Sequence, residues 1–361
     1  DWTYAGYANE YWLMAPPGSF WNYSNPNFVF AGLVTQTLDN RAWPDIMIED
    51  VFSPLGMNRT FLRKTEVEAD GDFALSYGMD PSTGTEGPVS MSDMPDPGWG
   101  RPAGLVWTTP NQMMSWAGFL MQGNANVLSD ALRAEVTAEQ VDTRYFVGNS
   151  WYGYGLFVDR GFPTRSGVWY EMPVWEHGGN TLSFSHFFYV LPEQRFAVAI
   201  CASGYGVDFS RSVEAAITTL ARNLPPTSPL PEYTFDPAAL NNHVGTYSDP
   251  YNVGDVIVTR VGDELFVAAP DLTAAGIPFE PRLQVISSEI FIITVDGYAL
   301  DLTFIPLTDG GPSQYIRNRI FVTTRVSPAA RAAAKRRHPT RAELVQMLVR
   351  ARLEPLPLPL K

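Results

Sequence analysis

The pattern of apolar and polar positions in the first 224 residues changes repeatedly between helical and strand-like spacing. Apolar residues at helical spacing predict four helices, over about 25–38, 43–52, 110–120 and 209–223. Alternating or continuously apolar runs predict strands over about 151–158, 184–190 and 196–202. The last two strands flank a Pro-Glu-Gln turn and predict an antiparallel hairpin covered on one side by a helix. The expected fold of residues 1–224 is therefore mixed α/β (α+β), an antiparallel sheet flanked by helices.

The rest of the chain has a different pattern. Four prolines lie between Leu224 and Pro231, so residues 225–231 are expected to be a semi-rigid linker. Beyond it, residues 232–326 contain short runs of β-branched and aromatic residues, and Gly262-Asp263 separates two of them as a hairpin turn would. We expect a small all-β, barrel-like domain there.

Charge sets the last segment apart. The whole chain has a net charge of −13, whereas residues 327–361 contain eight Lys/Arg against two Glu. A solvated or disordered basic tail is the simpler interpretation, and binding to a nucleic acid or an acidic surface is the alternative. Thr340-Arg341-Ala342-Glu343 also predicts a capping box that opens a short helix. The acidic remainder of the chain argues against general nucleic-acid binding.

Composition excludes several classes of site. The one cysteine, Cys201, excludes an intrachain disulfide and a paired-cysteine zinc site, and the four histidines are too scattered for a metal cluster. There is no apolar run long enough to predict a membrane span, and no signal peptide opens the chain. The chain starts at Asp1 within aromatic-rich sequence, which suggests a cut or processed product.

Short motifs that could carry chemistry follow one another in residues 15–205. They are Ala15-Pro16-Pro17-Gly18 with Tyr23-Ser24-Asn25, Pro54-Leu55-Gly56-Met57, Ala103–Pro110, Tyr152-Gly153-Tyr154-Gly155-Leu156 and Glu176-His177-Gly178-Gly179. Any one of these would be weak, but their order resembles the β-lactamase-like serine hydrolases, which include class C β-lactamases, DD-peptidases and related esterases. The resemblance implies a β-lactamase/transpeptidase-like fold for the first domain.

The resemblance also implies roles. In that family a serine of a Ser-x-x-Lys motif attacks a carbonyl, lysine and tyrosine share the proton transfer, and two backbone N–H groups hold the oxyanion. Tyr23 would then be the general base or acid, and Asn25 would orient the lysine and bind substrate. His177 would lie near Tyr23 and bind substrate or tune the proton network.

The neighbouring residues would complete the site. Gly178 and Gly179 would leave room for substrate, and the N–H of Asn180 would be an oxyanion donor. The substrate would be a small molecule or a peptide, and no metal or organic cofactor is implied. The structural alternatives are a packed aromatic for Tyr23, a helix cap for Asn25 and a structural role for His177. The order of the motifs favours the functional interpretation.

One family motif is not found. The three lysines are preceded at three residues' distance by Phe61, Ala332 and Leu358, so the chain contains no Ser-x-x-Lys. Since only 22 residues precede Tyr23, we expect a hydrolase domain that is N-terminally incomplete, with its nucleophile outside this chain. The parent protein would cleave an amide, ester or β-lactam bond through an acyl-enzyme. Two alternatives stay open: a non-catalytic relative with a binding or regulatory role, and a separate N-terminal segment or chain that supplies the serine.

The C-terminal β region carries a second, weaker resemblance. Val244-Gly245-Thr246-Tyr247 resembles the start of the barrel-like accessory domain that follows some of these hydrolases. Such domains often cover the mouth of the active site or build homo-oligomers. The family resemblance also implies a periplasmic or secreted location, on which the residues themselves give no indication.

Overall fold

The structure of the chain, a computed structural model, describes residues 13–79, 86–94, 96–146, 148–181, 184–327 and 337–353. These residues form two compact units. The helix–sheet unit contains the described residues of 24–142 and 148–230, and the β unit contains those of 13–23, 143–146 and 231–353. The sequence predicted domains over 1–224 and 232–326, joined by a linker over 225–231 and followed by a tail over 327–361. The structure instead groups the segments 13–23 and 143–146 with the C-terminal β region, because their contacts are made to its strands.

The helix–sheet unit begins with a series of helices. They are α1 (Asn25–Asp39), α2 (Trp43–Ile46, continued as a π-helix over Met47–Phe52), α3 (Lys64–Asp70), α4 (Pro110–Gln122), α5 (Asp130–Val136) and α6 (Ser210–Leu220). The predicted start of α4 is confirmed, since the hydroxyl of Thr109 accepts a hydrogen bond from the N–H of Gln112 at 3.3 Å. No described helix is both long and apolar enough to cross a membrane.

The start of α1 differs from the prediction. Asn25 was expected to cap the helix, but Ser24 occupies the cap position with an extended backbone and Asn25 is already helical. Pro26 then lies in the first turn, where a missing N–H costs nothing because the first N–H groups of a helix have no intrahelical acceptor. Asn25 therefore does not serve as the helix cap.

The sheet of this unit contains strands β3 to β9, preceded by a separate β1–β2 hairpin. The strands are β1 (Ser76–Met79), β2 (Glu86–Val89), β3 (Val141–Asp142), β4 (Ser150–Tyr152), β5 (Phe157–Pro163), β6 (Val168–Thr181), β7 (Phe184–Leu191), β8 (Phe196–Ala202) and β9 (Thr227–Pro229). The order is β3-β4-β5-β6-β7-β8 and every pairing is antiparallel. The predicted hairpin is confirmed as β7–β8.

Both faces of this sheet are covered. On one face Val213 and Ile217 of α6 pack against Met172 and Val174. On the other face α4 packs against β7, and its contacts are Ala117, Phe119 and Leu120 with Phe188 and Val190. An antiparallel sheet between helices is the arrangement that the sequence predicted for this part of the chain.

The proline-rich linker is not a free spacer. Its residues Thr227–Pro229 form strand β9, which pairs with Val168–Tyr170 of β6. This pairing is possible despite the prolines because β9 is a short, exposed edge strand, where a missing N–H can face solvent. The sequence predicted a semi-rigid spacer here and did not reveal this pairing.

The β unit is built around one curled sheet. Its strands are β10 (Gly245–Asp249), β11 (Gly254–Val261), β12 (Glu264–Ala268), β13 (Gln284–Val285), β14 (Ile290–Val295), β15 (Tyr298–Pro306), β16 (Ser313–Arg317) and β17 (Val322–Val326). The order is β12-β11-β10-β17-β16-β15-β14-β13. Phe266 of β12 bridges to Arg282, which leads into β13, so the two ends of the strand order meet. The predicted barrel-like sheet is confirmed.

The C-terminal segment contains a packed helix. After the short helix α7 (Pro270–Ala274) comes α8 (Arg341–Leu353), whose Leu344, Met347 and Leu348 are buried in the apolar core of the β unit. The predicted capping box is present, because the carboxylate of Glu343 accepts from the N–H of Thr340 at 2.8 Å and the Thr340 hydroxyl accepts from the N–H of Glu343 at 3.3 Å. The prediction of a solvated tail is therefore wrong for this helix, because burial of its apolar side chains holds it on the β unit despite the basic charge of the segment. Arg331, Lys335, Arg336 and Lys361 of the predicted basic tail lie outside the described residues.

Candidate active site

Tyr23 belongs to the β unit, where it is half-buried. The guanidinium carbon of Arg319 lies 4.3 Å from the centre of its ring, a cation–π geometry. The Trp21 ring approaches it edge-on, with 6.3 Å between ring centres. The backbone just before Tyr23 is anchored too, since the fully buried Arg317 donates to the Trp21 carbonyl at 2.8 Å. The phenol is thus held in a cationic setting.

Asn25 begins α1 in the helix–sheet unit, and its side chain is exposed. Because it does not cap the helix, its amide is available for a polar ligand. The sequence assigned Asn25 either a cap or a catalytic role, and the structure removes the first. The second stays a prediction.

His177 lies on β6 and makes two polar contacts that fix its ring. Nδ1 is 2.6 Å from the carbonyl oxygen of Gly178, and Nε2 is 3.2 Å from the hydroxyl of Tyr152. A carbonyl can only accept, so Nδ1 carries the proton and donates it to Gly178. In the neutral ring Nε2 is then an acceptor, and the Tyr152 hydroxyl donates to it. The proximity of His177 to Tyr23 that the sequence predicted stays a prediction.

The structure gives a packing reason for glycine at positions 178 and 179 that the sequence did not reveal. A Cβ on Gly178 would lie 2.7 Å from the Phe187 ring, and one on Gly179 would overlap the ring of His186. Both rings belong to the cross-strand partners of these glycines on β7. Glycine at 178 is therefore needed for packing against Phe187, whereas at 179 the obstacle is a side chain that can move, whether or not the two glycines also make room for substrate.

Asn180 uses its side chain to hold the next loop. Its Oδ1 accepts hydrogen bonds from the Ser185 hydroxyl at 2.6 Å and from the N–H of Gly206 at 3.1 Å. The Ser185 oxygen in turn accepts from the N–H of Val207 at 3.1 Å. The side chain thus joins the end of β6 to β7 and to the loop after β8. An oxyanion role for the N–H of Asn180 stays a prediction.

Strand β6 runs beyond its neighbour β5 at this point. The pairing of β5 with β6 ends at Phe157 opposite Glu176, whereas β7 pairs with β6 as far as Thr181. Residues 177–181 therefore have a strand partner on one side only, within the part of the chain that the structure describes. An open strand edge can pair with the backbone of an extended ligand, and the four predicted residues 177–180 all lie along it.

A pair of buried carboxyl groups lies next to this edge. Asp159 on β5 and Glu176 on β6 are opposite Val174 and Phe157, so they are diagonal neighbours on one face of the sheet. Burial raises the pKa of Asp159 to about 7 and raises the pKa of Glu176 well above its usual range, with the Asp159 charge adding to the second shift. Oδ1 of Asp159 and Oε2 of Glu176 have no hydrogen-bond partner among the described residues. The pair therefore favours its protonated forms.

The one described lysine has a structural function. The Nζ of Lys64 donates to the carbonyls of Ser92 at 3.2 Å and Met94 at 3.1 Å, which ties the start of α3 to a short turn. Among the described residues, no group of three or more His, Cys, Asp or Glu side chains could hold a metal ion.

Three features of the site were missed by sequence reasoning. From the sequence, Tyr152 was identified only as the first residue of a motif. Its position two residues after the start of β4 could have indicated that its hydroxyl faces inward. Glu176 alternates with Met172 and Val174, a spacing that signals a buried carboxyl. Arg319 has no such signal, because its contact with Tyr23 joins residues almost 300 positions apart.

Comparison with known proteins adds a family. A model of the Beta-lactamase family matches residues 4–222, which is more than half of the chain. The hydrolase of unguisins, ungD', from Aspergillus campestris is 30% identical over 118 residues, which are 32% of this chain. The match spans only 22% of that protein's length.

Two solved structures resemble the fold over most of the chain. The octameric penicillin-binding protein homologue from Pyrococcus abyssi is 19% identical with a TM-score of 0.52, and the match covers 89% of this chain and 69% of that one. SurE is 18% identical with a TM-score of 0.63, and the match covers 90% of this chain and 72% of that one. At these identities the comparison establishes the fold alone.

Proposed function

Since the chain belongs to the Beta-lactamase family, we propose that it is part of a serine hydrolase that cleaves an amide, ester or β-lactam bond through an acyl-enzyme. The nucleophilic serine and its lysine lie outside this chain. Tyr23 moves the proton of the serine, Asn25 orients the lysine and the substrate, and His177 binds substrate or tunes the proton network. The N–H of Asn180 contributes to the oxyanion hole.

The open edge of β6 at residues 177–181 is the observation that carries this proposal. A substrate with a backbone-like amide can add to such an edge through main-chain hydrogen bonds. The same edge presents His177, whose ring is fixed by Tyr152 and by the Gly178 carbonyl. An extended amide or peptide is therefore the substrate class that this edge supports best. That ungD' is described as a hydrolase of unguisins is consistent with such chemistry.

A second candidate function, binding without cleavage, is suggested by the lack of a catalytic lysine in this chain. The chain has no Ser-x-x-Lys, and Lys64 is engaged with backbone carbonyls. A family member without a nucleophile would keep the open edge and bind a ligand without cleaving it. A third arrangement supplies the serine from a separate N-terminal chain.

Covalent labelling separates these candidates. The natural protein that contains these 361 residues would be treated with a fluorophosphonate probe and, separately, with a labelled penicillin, and the adduct located by peptide mass spectrometry. We expect one modified serine in a Ser-x-x-Lys sequence upstream of Asp1, and weaker labelling in Tyr23→Phe. Reaction on a second polypeptide would support supply in trans. A folded protein that takes up neither probe would contradict the hydrolase and favour the binding protein.

A further inference from the structure

The turn that joins β16 to β17, residues 318–321, is partly buried and held by several hydrogen bonds. Within it, the Asn318 amide donates to both the carbonyl and the carboxylate of Asp301, at 3.0 and 2.9 Å. Asn318 also accepts from the N–H of Ile320 at 3.0 Å, and its own N–H donates to the Phe321 carbonyl at 2.9 Å. Arg319 therefore projects from a backbone that has little freedom.

This turn holds the tyrosine segment residue by residue. Arg317 donates to the Trp21 carbonyl at 2.8 Å, and the Asn22 amide donates to the carbonyls of Asn318 and Arg319, both at 3.4 Å. The Arg319 guanidinium then covers the Tyr23 ring. Just upstream, Phe20 packs against Tyr315 of β16, with 5.1 Å between ring centres. The whole approach to Tyr23 is thus docked on β16 and the turn after it.

Among the described residues, the charges around Tyr23 are predominantly positive. Arg319 lies on its ring, and Arg317 lies over Tyr145, 4.7 Å from the ring centre. In the part of the chain that the structure describes, Asp301 is a carboxyl group that faces both arginines, and burial raises its pKa to about 6 against the lowering effect of Arg317. The neighbouring Arg144 is paired with Glu289 at 2.7 Å and adds no net charge. Two guanidinium groups therefore face one buried carboxyl.

We propose that Arg319 is a positioning residue for Tyr23, which it holds in one orientation and whose ionised phenol it favours. A cation close to an acidic group stabilises the charged form of that group. In the acylation step, the proton would pass from the serine hydroxyl to the Tyr23 phenolate oxygen and later to the leaving group, while Arg319 keeps its own protons throughout. The catalytic consequence rests on the proposed function, but the coupling between the two side chains does not.

The coupling can be measured without any turnover. The protein would be labelled with 3-fluorotyrosine, the Tyr23 signal assigned through Tyr23→Phe, and its ¹⁹F shift followed against pH. Arg319→Gln should raise the midpoint of the Tyr23 titration by about one pH unit, whereas Arg319→Lys should keep it near the wild-type value. Arg260→Gln is the matched control, since Arg260 contacts Gly262 and Asp263 on the β11–β12 hairpin and should leave the midpoint unchanged.

Two further measurements distinguish the proposed coupling from a general loss of structure or activity. In the unaltered protein, the ¹⁵Nε signal of Arg319 should titrate with the same midpoint as Tyr23. In the natural enzyme, Arg319→Gln should move the acid limb of the kcat/KM profile to higher pH and leave activity at high pH nearly intact, whereas a purely structural defect would lower it at every pH. An unshifted Tyr23 midpoint in Arg319→Gln, or an Arg319 signal that ignores Tyr23 ionisation, would overturn the proposal. If the Tyr23 midpoint shifts in Arg319→Gln but the natural protein hydrolyses no substrate, the coupling of Arg319 to Tyr23 is supported and only the proposed function is contradicted.

Discussion

The Tyr152 hydroxyl donates a hydrogen bond to Nε2 of His177, with 3.2 Å between the two atoms. The other ring nitrogen donates to the carbonyl of Gly178. The two contacts select one tautomer of the neutral ring, because a carbonyl cannot donate. His177 therefore lies at the open edge of β6 with a defined tautomer.

The tautomer of His177 is therefore the first prediction. In a ¹⁵N-labelled protein, the long-range ¹H–¹⁵N spectrum should show His177 with a protonated Nδ1 and a bare Nε2. Tyr152→Phe should leave Nδ1 protonated and shift only the Nε2 resonance, since it removes one hydroxyl and keeps the ring. His243, whose two ring nitrogens contact Ser313 and Ser288, should be unaffected and is the internal reference. A protonated Nε2 in the wild type would show that the assigned hydrogen bonds are wrong.

The glycines of β6 lead to a second prediction, which compares two alanine substitutions. Gly178→Ala would press its methyl group on Phe187, and that ring is confined by Tyr189 and Phe209. Overpacking of this kind typically costs about 1–3 kcal/mol. In Gly179→Ala the three atoms nearest to the new methyl group all belong to His186, whose exposed side chain can turn away, so the cost should be below about 1 kcal/mol.

Urea unfolding followed by fluorescence would compare the two variants. A second comparison replaces Phe187 itself: in Phe187→Leu, the Gly178→Ala change should cost less than it does alone, because the obstructing ring has gone. Equal losses from the two glycine substitutions, or no relief in the Phe187→Leu background, would show that the β7 rings are not what requires glycine.

Sequence reasoning succeeded where the cause is local. The Thr109 cap of α4 and the Thr340–Glu343 capping box depend on residues three positions apart, and both are present. The β7–β8 hairpin follows from two apolar runs around one turn. The family resemblance likewise came from short motifs in order, and the family match over residues 4–222 bears it out.

It failed where the cause is a contact between distant segments. Nothing near Tyr23 in the sequence indicates that it packs on the turn at 318–321 of the β unit. The need for glycine at 178 comes from a ring on the next strand, and the burial of α8 comes from a core formed mainly by residues 240–321. Charge was misleading for α8, because this helix exposes Arg341 and still buries Leu344 and Met347.

Arg317 provides a third prediction, about what holds the tyrosine segment. It is fully buried and donates to the carbonyls of Trp21 and Thr143 and to the hydroxyl of Thr303. Arg317→Met would fill a similar volume but leave these acceptors without their donor. The free energy of unfolding should fall by about 2–4 kcal/mol, and the backbone amides of residues 21–23 should exchange hydrogen faster. The control Arg260→Gln, on the β11–β12 hairpin, should change stability by less than about 0.5 kcal/mol. Unchanged exchange at 21–23 would show that Arg317 does not anchor them.

The buried carboxyl pair gives the last prediction, on the pH dependence of stability. The pKa of Asp159 is about 7 in the folded protein against 3.8 without burial, so between these values the folded state binds more protons than the unfolded state. The free energy of unfolding should therefore fall as pH rises from about 4 to 7, and stay low above that range.

Asp159→Asn removes this titration and keeps an oxygen that can accept from Ser150. At pH 8 the variant should be more stable than the wild type by about 1–3 kcal/mol, whereas near pH 4 the two should be equal. Glu139→Gln is the opposite case, because the hydrogen bond from Arg160 lowers the pKa of Glu139 and its loss should produce no gain at neutral pH. Urea unfolding at several pH values measures all three proteins. If Asp159→Asn were the less stable protein at pH 8, the carboxylate would be favourable where it stands, and the inferred direction of its pKa shift would be wrong.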